Sequence, residues 1–258
     1  MRAARSLCAY SKHEAEAAEI FILSKRPEHN LAFLFDLDGT LVDSVYQHVL
    51  AWREALEKTG IELAVWRIHR RIGMSGGLLI NALLRETGHR VSTAEAAELQ
   101  RIHAEAYARQ VAQLRPLPGA RNLLTHLTQN RVPWAIATSS WLESARPTLR
   151  LLGVGSEAVV ITRDEVVHAK PNPDLFLAAA ERLRVEITDS IVVGDSVWDL
   201  LAARRARAVG VGLLSGGYGQ DELERAGAYR VYQDPGDLLN HLDEMGVRTT
   251  EQVFIKRS

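Results

Sequence analysis

Cysteine is nearly missing: Cys8 is the single one in 258 residues, so no intrachain disulfide can form and a cytoplasmic setting fits. Long apolar runs are missing too, and none approaches the roughly 18 residues expected of a membrane-spanning helix. There is no excess of charge of either sign. Lys and Arg number 31 against 32 Asp and Glu, a formal net charge of -1, so neither nucleic acid nor an anionic membrane is expected as a partner. The nine histidines include no HExxH spacing, which removes support for a zinc protease. Internal repeats and low-complexity tracts are also lacking. What remains, 47% hydrophobic and 24% charged residues, is ordinary for a globular chain with a substantial core, in one large domain or two smaller ones.

Residues 1–30 read as an N-terminal extension, either a short amphipathic helix or a frayed leader. Their apolar run at 20–23 is too short for a signal peptide, and Glu14, Glu16 and Glu19 argue against a transit peptide.

The chain is organised around residues 31–44, LAFLFDLDGTLVDS. The apolar start has the character of a buried parallel strand, and ligands of open α/β sheets bind beyond the carboxyl ends of strands. Asp36 and Asp38 stand at that end, before a turn at Gly39 and Thr40. Two carboxylates there repel each other unless a cation or a shared proton relieves them, which points to a hard metal such as Mg²⁺ with oxygen ligands. A strand ending in a plain Asp-Gly turn is the alternative for these residues taken alone.

Helical spacing follows over 46–58, 65–72, 78–87 and 93–114, with Ser92 and Glu95 as a capping box for the last. The stiff Arg115-Pro116-Leu117-Pro118-Gly119 turn closes this run. Residues 46–115 therefore read as a helical cap, joined by two hinges to a core made of 31–45 and 116–245, with a tail over 246–258. In the core, strands at 132–137, 159–162, 190–193, 209–213 and 230–232 alternate with helices at 120–129, 141–152, 173–183, 197–207, 221–226 and 235–245. Pro147 must stand near a first turn or bend its helix. The alternation predicts an α/β fold: a Rossmann-like, mostly parallel sheet with an inserted helical cap domain.

Each core strand is then followed by polar groups. Thr138-Ser139-Ser140 follows the second, Lys170-Pro171 comes after the third, and Gly194-Asp195 ends the fourth, with Asp199 in the next helix. In isolation these are a helix N-cap, a solvated loop, a turn and a first-turn acid. Together they supply what phosphoryl transfer needs: carboxylates for a metal, donors for anionic oxygens, a cation and a nucleophile.

This ordered set resembles the haloacid dehalogenase superfamily, particularly its capped phosphatases and the phosphoglycolate phosphatase and β-phosphoglucomutase-like group, over roughly residues 31–239. The resemblance implies Asp36 as the nucleophile of an aspartyl-phosphate and Asp38 as general acid and base. It implies Mg²⁺ held by Asp36, Asp195 and the Asp38 carbonyl, with Asp199 in support. Thr138 and Ser139 would bind phosphoryl oxygens, with Ser139 standing where relatives often have Asn, and Lys170 would balance charge. The expected partner is a small phosphorylated metabolite; oligomeric state is not legible.

Asp38 argues against a dehalogenase, which lacks the second acid in this superfamily. A phosphonoacetaldehyde hydrolase needs a cap lysine, and Lys58 lies in the first cap helix rather than at its tip. A sugar phosphomutase and a non-enzymatic phosphometabolite-binding module remain as alternatives. In the cap, Arg67, Arg70, Arg71 and Ser75 are candidates to hold a second anionic group, with a solvated helix face as the other reading. His168 reads as an exposed loop residue, and Gly210, Gly212 and Gly216 as a strand and loop rather than a nucleotide fingerprint.

Overall fold

A computed structural model of the chain describes residues 31–88 and 91–247. The expected N-terminal extension and the tail beyond residue 247 lie outside the described residues. Six strands form one sheet: β1 (Ala32–Phe35), β4 (Trp134–Ala137), β5 (Val159–Ile161), β6 (Ser190–Gly194), β7 (Val209–Leu213) and β8 (Ala228–Tyr232). Their order is β5-β4-β1-β6-β7-β8, and every neighbouring pair is parallel. The α/β architecture expected from the alternation is present.

β1 is buried at all four positions, as its unbroken apolar run requires. Phe33 and Phe35 point to one face and pack with α5 (Ala120–Gln129) through Leu123, Leu124 and Leu127 and with α6 (Leu142–Leu152) through Leu149 and Leu152. Leu34 faces the other way, toward Leu175, Phe176 and Ala179 of α7 (Asp174–Leu183) and Ala202 and Ala203 of α8 (Val197–Ala206). The two-residue period of the strand thus feeds both layers, and each large apolar side chain contributes about 1.5–3 kcal/mol by leaving water.

Register decides where the polar groups emerge. Phe35 lies opposite Ile136 on one side and Val193 on the other. The chain therefore leaves the sheet at Asp36, Thr138 and Asp195 along one edge.

The helical segment leaves and re-enters through a two-stranded antiparallel ribbon, β2 (Val42–Asp43) with β3 (Arg115–Pro116). Two-residue strands are too short to show alternation, and Arg115-Pro116 reads from sequence as part of a stiff turn. Between them lie α1 (Val45–Lys58), α2 (Val65–His69), α3 (Gly76–Thr87) and α4 (Thr93–Ala108). Ser92 and Glu95 form the anticipated capping box at α4. This segment has its own apolar cluster of Val45, Val49, Trp52 and Leu56 with Leu79, Ile80, Leu99 and Ile102.

Several boundaries differ from expectation. α2 stops at His69 before turns that lead to Gly73 at φ +94. α4 stops at Ala108, and a 3-10 turn at Val111–Gln113 delivers Leu114 in extended backbone to β3. Pro147 stands inside α6 rather than in its first turn. Burial of Ala145, Thr148, Leu149 and Leu152 holds that helix together without the hydrogen bond the proline forgoes.

One glycine of the sheet is dictated by packing. A Cβ on Gly194 would lie 2.2 Å from Cβ of Asp199 in the first turn of α8. Gly194→Ala should lower stability by about 1–3 kcal/mol, read as a reduced urea midpoint with an unchanged slope.

Candidate active site

The sheet edge gathers the acids named above. Lys170, fully buried at 0% exposure, donates to Asp36 Oδ1 and lies 2.9 Å from Asp199 Oδ1. Asp199 is in turn fixed by Ser196, whose backbone N–H and hydroxyl both donate to its Oδ2, at 3.1 and 2.6 Å. Asp195 accepts from the Thr40 hydroxyl at 2.9 Å. A Cβ on Gly216 would fall 1.8 Å from Asp195 Oδ2, so the loop after β7 closes against this carboxylate. That gives Gly216, one of the three glycines set aside as a loop, a packing role at the site.

Charge is crowded here. Burial raises the Asp36 pKa to about 7; Lys170 opposes the rise, and Asp199 and Asp38 add to it. Burial, then Asp199 and Asp36, push the Asp195 carboxyl well above its ordinary range. For Lys170 burial works against the charged form, but Asp199 and Asp36 outweigh it and the ammonium is held protonated.

Asp38 sits in a different setting. Ser44 donates to its Oδ1 at 2.7 Å, Ser140 to Oδ2 at 3.0 Å, and His48 Nε2 lies 3.3 Å from Oδ1. Tyr107 adds a long donation at 3.5 Å. Burial would raise this carboxyl, but His48, then Ser44 and Ser140, bring its pKa down to about 2. Two acids two residues apart are therefore driven in opposite directions, the pattern that separates acid–base groups from their neighbours.

Asp36 and Asp38 open into a cavity of about 240 Å³ between the sheet edge and the helical segment. Thr138, Ser139 and Ser140 line its core side. Thr138 Oγ1 accepts from the Ser140 N–H, and the Ser139 hydroxyl donates to the Gly73 carbonyl across the junction at 3.0 Å. The opposite wall includes His48 and Trp52 of α1 and Gln100, Arg101 and His103 of α4. His48, His103, Trp52 and Tyr107 stack as rings, with His48 and His103 nitrogens 3.1 Å apart. Burial, then His48, hold the His103 pKa well below its ordinary value.

Arg67, Arg70, Arg71 and Ser75 do not line this cavity. Arg70 binds Glu222 at 3.2 Å and covers the Tyr218 ring at 4.2 Å. Arg71 lies over Trp198 at 5.8 Å, and Arg67 over Trp66 at 5.0 Å. Ser75 is the buried N-cap position of α3. A helical pattern shows which residues share a face but not what that face meets; here much of it meets the core. His168 is exposed, 3.2 Å from Asp174, as expected of its loop.

The polar groups missed by motif reading are Thr40, Ser44, His48, Gln100, His103 and Tyr107. Thr40 and Ser44 lie inside the opening motif itself. His48 and Trp52 are four apart on α1, and His103 and Tyr107 four apart on α4, so helical spacing carried a signal.

Asp36, Asp195 and Asp199 offer carboxylate oxygens all within 4.8 Å of one another, a hard-oxygen set that can hold a metal ion. Burial first, and then the neighbouring acids, disfavour negative charge on Asp36 and Asp195, and a cation would favour it. Asp199 has both oxygens engaged, by Lys170 and Ser196, and so fits a supporting position better than a direct ligand.

Residues 31–207 match the family model described as haloacid dehalogenase-like hydrolase. Hexitol phosphatase A of Escherichia coli (strain K12) is 34% identical over 67% of this chain and 78% of its own length. Beta-phosphoglucomutase of Bacillus subtilis (strain 168) is 30% identical over 82% and 92%. The crystal structure of a hydrolase from Pseudomonas syringae superposes with a TM-score of 0.82 at 54% identity, covering 83% of this chain and 98% of that one.

A divalent cation such as Mg²⁺, at about 100 times its Kd, should stabilise the fold by ~2.7 kcal/mol in thermal or urea unfolding. Asp195→Asn should remove most of that increment.

Proposed function

Because the chain belongs to the haloacid dehalogenase-like hydrolase family, we propose that it is a Mg²⁺-dependent phosphatase acting on a small phosphomonoester through an aspartyl-phosphate at Asp36. The observation that carries this reading is the pairing of Asp36 and Asp38 on one cavity, their carboxyls driven apart in proton affinity.

In the first step an Asp36 carboxylate oxygen attacks phosphorus in line with the leaving oxygen, and Asp38 supplies that oxygen with a proton. In the second, Asp38 takes a proton from water as the water attacks the acyl phosphate, restoring the Asp36 carboxylate and releasing phosphate. A phosphate dianion entering the cavity raises the proton affinity of a nearby carboxyl, the direction an acid role for Asp38 requires. Lys170 keeps Asp36 oriented and offsets charge on it; Thr138 and Ser139 hold phosphoryl oxygens. When bound, Mg²⁺ at Asp36, Asp195 and the Asp38 carbonyl, with Asp199 in support, would offset the charge of the transferring group.

Residues 46–115 act in this reading as a cap over a core of 31–45 and 116–245, excluding water and favouring small metabolites over phosphoproteins. No helix among the described residues is long and apolar enough to cross a membrane. The single cysteine supports a cytoplasmic location.

A panel of phosphate esters with Mg²⁺ should release inorganic phosphate, and Asp36→Asn should lose at least about a thousandfold in kcat/KM, the scale expected when a nucleophile is removed. Full activity of that variant would sink the assignment. Resemblance to a beta-phosphoglucomutase keeps a mutase as the second reading; it predicts an isomeric product, without free phosphate, when a bisphosphate primer is supplied.

A further inference from the structure

Resting on the phosphatase reading, the shape and charge of the cavity also bear on what leaves with the phosphate. We propose that the leaving group is a neutral, polyhydroxylated one, a polyol or sugar, and that Gln100 and Trp52 are its specificity-determining residues.

The argument begins with cations. Arg101 is the one arginine or lysine among the described residues lining the cavity. Its guanidinium is held by both oxygens of Glu98, at 2.8 and 2.6 Å, and by Glu105, so two carboxylates already answer one positive charge. It is also 55% exposed, where its field is screened. Arg70, a candidate for a second anion, is committed to Glu222 on the core and lies outside the cavity. Among the described residues, a substrate carrying a carboxylate or second phosphate beyond its reacting group would thus meet Asp36, Asp38 and one arginine already shared by two carboxylates, with no uncommitted lysine or arginine lining the cavity to offset the repulsion.

The same wall suits hydroxyls. Gln100 is half-buried, and its amide makes no hydrogen bond among the described residues, leaving a donor and an acceptor open to the cavity. It lies beside the start of α3: a Cβ on Gly77 would be 3.9 Å from Gln100 Nε2. Trp52 is wedged between His103, at 4.1 Å between ring centroids, and Gly76, where a Cβ would come within 3.1 Å of the indole. Its exposed edge, 4% of the residue, forms with the half-buried Met74 a small apolar patch for the C–H side of a polyol. His103, held neutral, adds a ring nitrogen to this mixed lining. Such a wall rejects a ligand whose charge leaves it unpaired more strongly than one that differs by a methylene.

The test is a kcat/KM comparison on the full chain with Mg²⁺. The neutral set is sorbitol 6-phosphate, erythritol 4-phosphate and glucose 6-phosphate. The charged set is phosphoglycolate, 3-phosphoglycerate and fructose 1,6-bisphosphate, with acetyl phosphate as a small reference. The neutral set should lead by about tenfold or more, and Gln100→Lys should move the ratio toward phosphoglycolate by a similar factor. The ratio matters because general damage to the fold lowers both sets together. Phosphoglycolate turned over as fast as the neutral esters by the native chain would overturn the inference and leave the phosphatase reading intact. So would release from acetyl phosphate but from none of the neutral esters. Equal loss on both sets in Gln100→Lys would overturn the role of Gln100. Silence on every ester would overturn the phosphatase reading and this inference with it.

Discussion

A fully buried ammonium between two buried carboxylates is the constraint on which the site depends. Lys170 reaches Asp36 from one side and Asp199 from the other, and its charge is lodged where water cannot help it. Removing either partner from such a group costs about 3–5 kcal/mol, so the surrounding structure must keep all three in place. Much of the local architecture serves that end. Ser196 donates twice to Asp199, and Gly194 leaves room for it. The Phe176 ring of α7 lies 5.0 Å from the ammonium and closes it from solvent. Even so, one cation stands against three buried acids, and the imbalance is what equips the place for a divalent ion.

Asp38 is governed by other means. Its partners come from the start of α1, from α4 and from the loop after β4, so one carboxylate reads the positions of two parts of the chain at once. Asp36 is held by core residues alone, whereas the surroundings of Asp38 are completed by the helical segment.

Much of this was legible beforehand, for a physical reason. Parallel strands buried on both faces are apolar throughout, so the first polar residue after each marks the sheet edge without ambiguity; Asp36, Thr138 and Asp195 are found this way. Lys170 and Asp199 are harder, since only the fold brings a loop lysine onto a helix acid. The arginines of α2 and its following turn show the limit. Their helical face was visible, but Glu222, Tyr218 and Trp198 lie far along the chain and no local pattern announces them. Pro147 stands in the interior of a helix that its neighbours' spacing does predict, with Ala145, Thr148, Leu149 and Leu152 buried around it. The β2–β3 pairing was hidden because two residues cannot express a period.

That small ribbon has a consequence for how the molecule can be altered. Both passages between sheet and helical segment are stitched side by side, Val42 to Pro116 and Asp43 to Arg115, with the Leu117 N–H also donating to the Leu41 carbonyl at 3.0 Å. The two ends of roughly seventy residues are therefore held at a spacing that the core dictates and the helices do not. Anything grafted between those ends inherits the same doorway. The helices facing the cavity can be lengthened, exchanged or recast for another ligand while the strand that leads to Asp36 keeps its register, making the ribbon a natural seam between what varies and what must not.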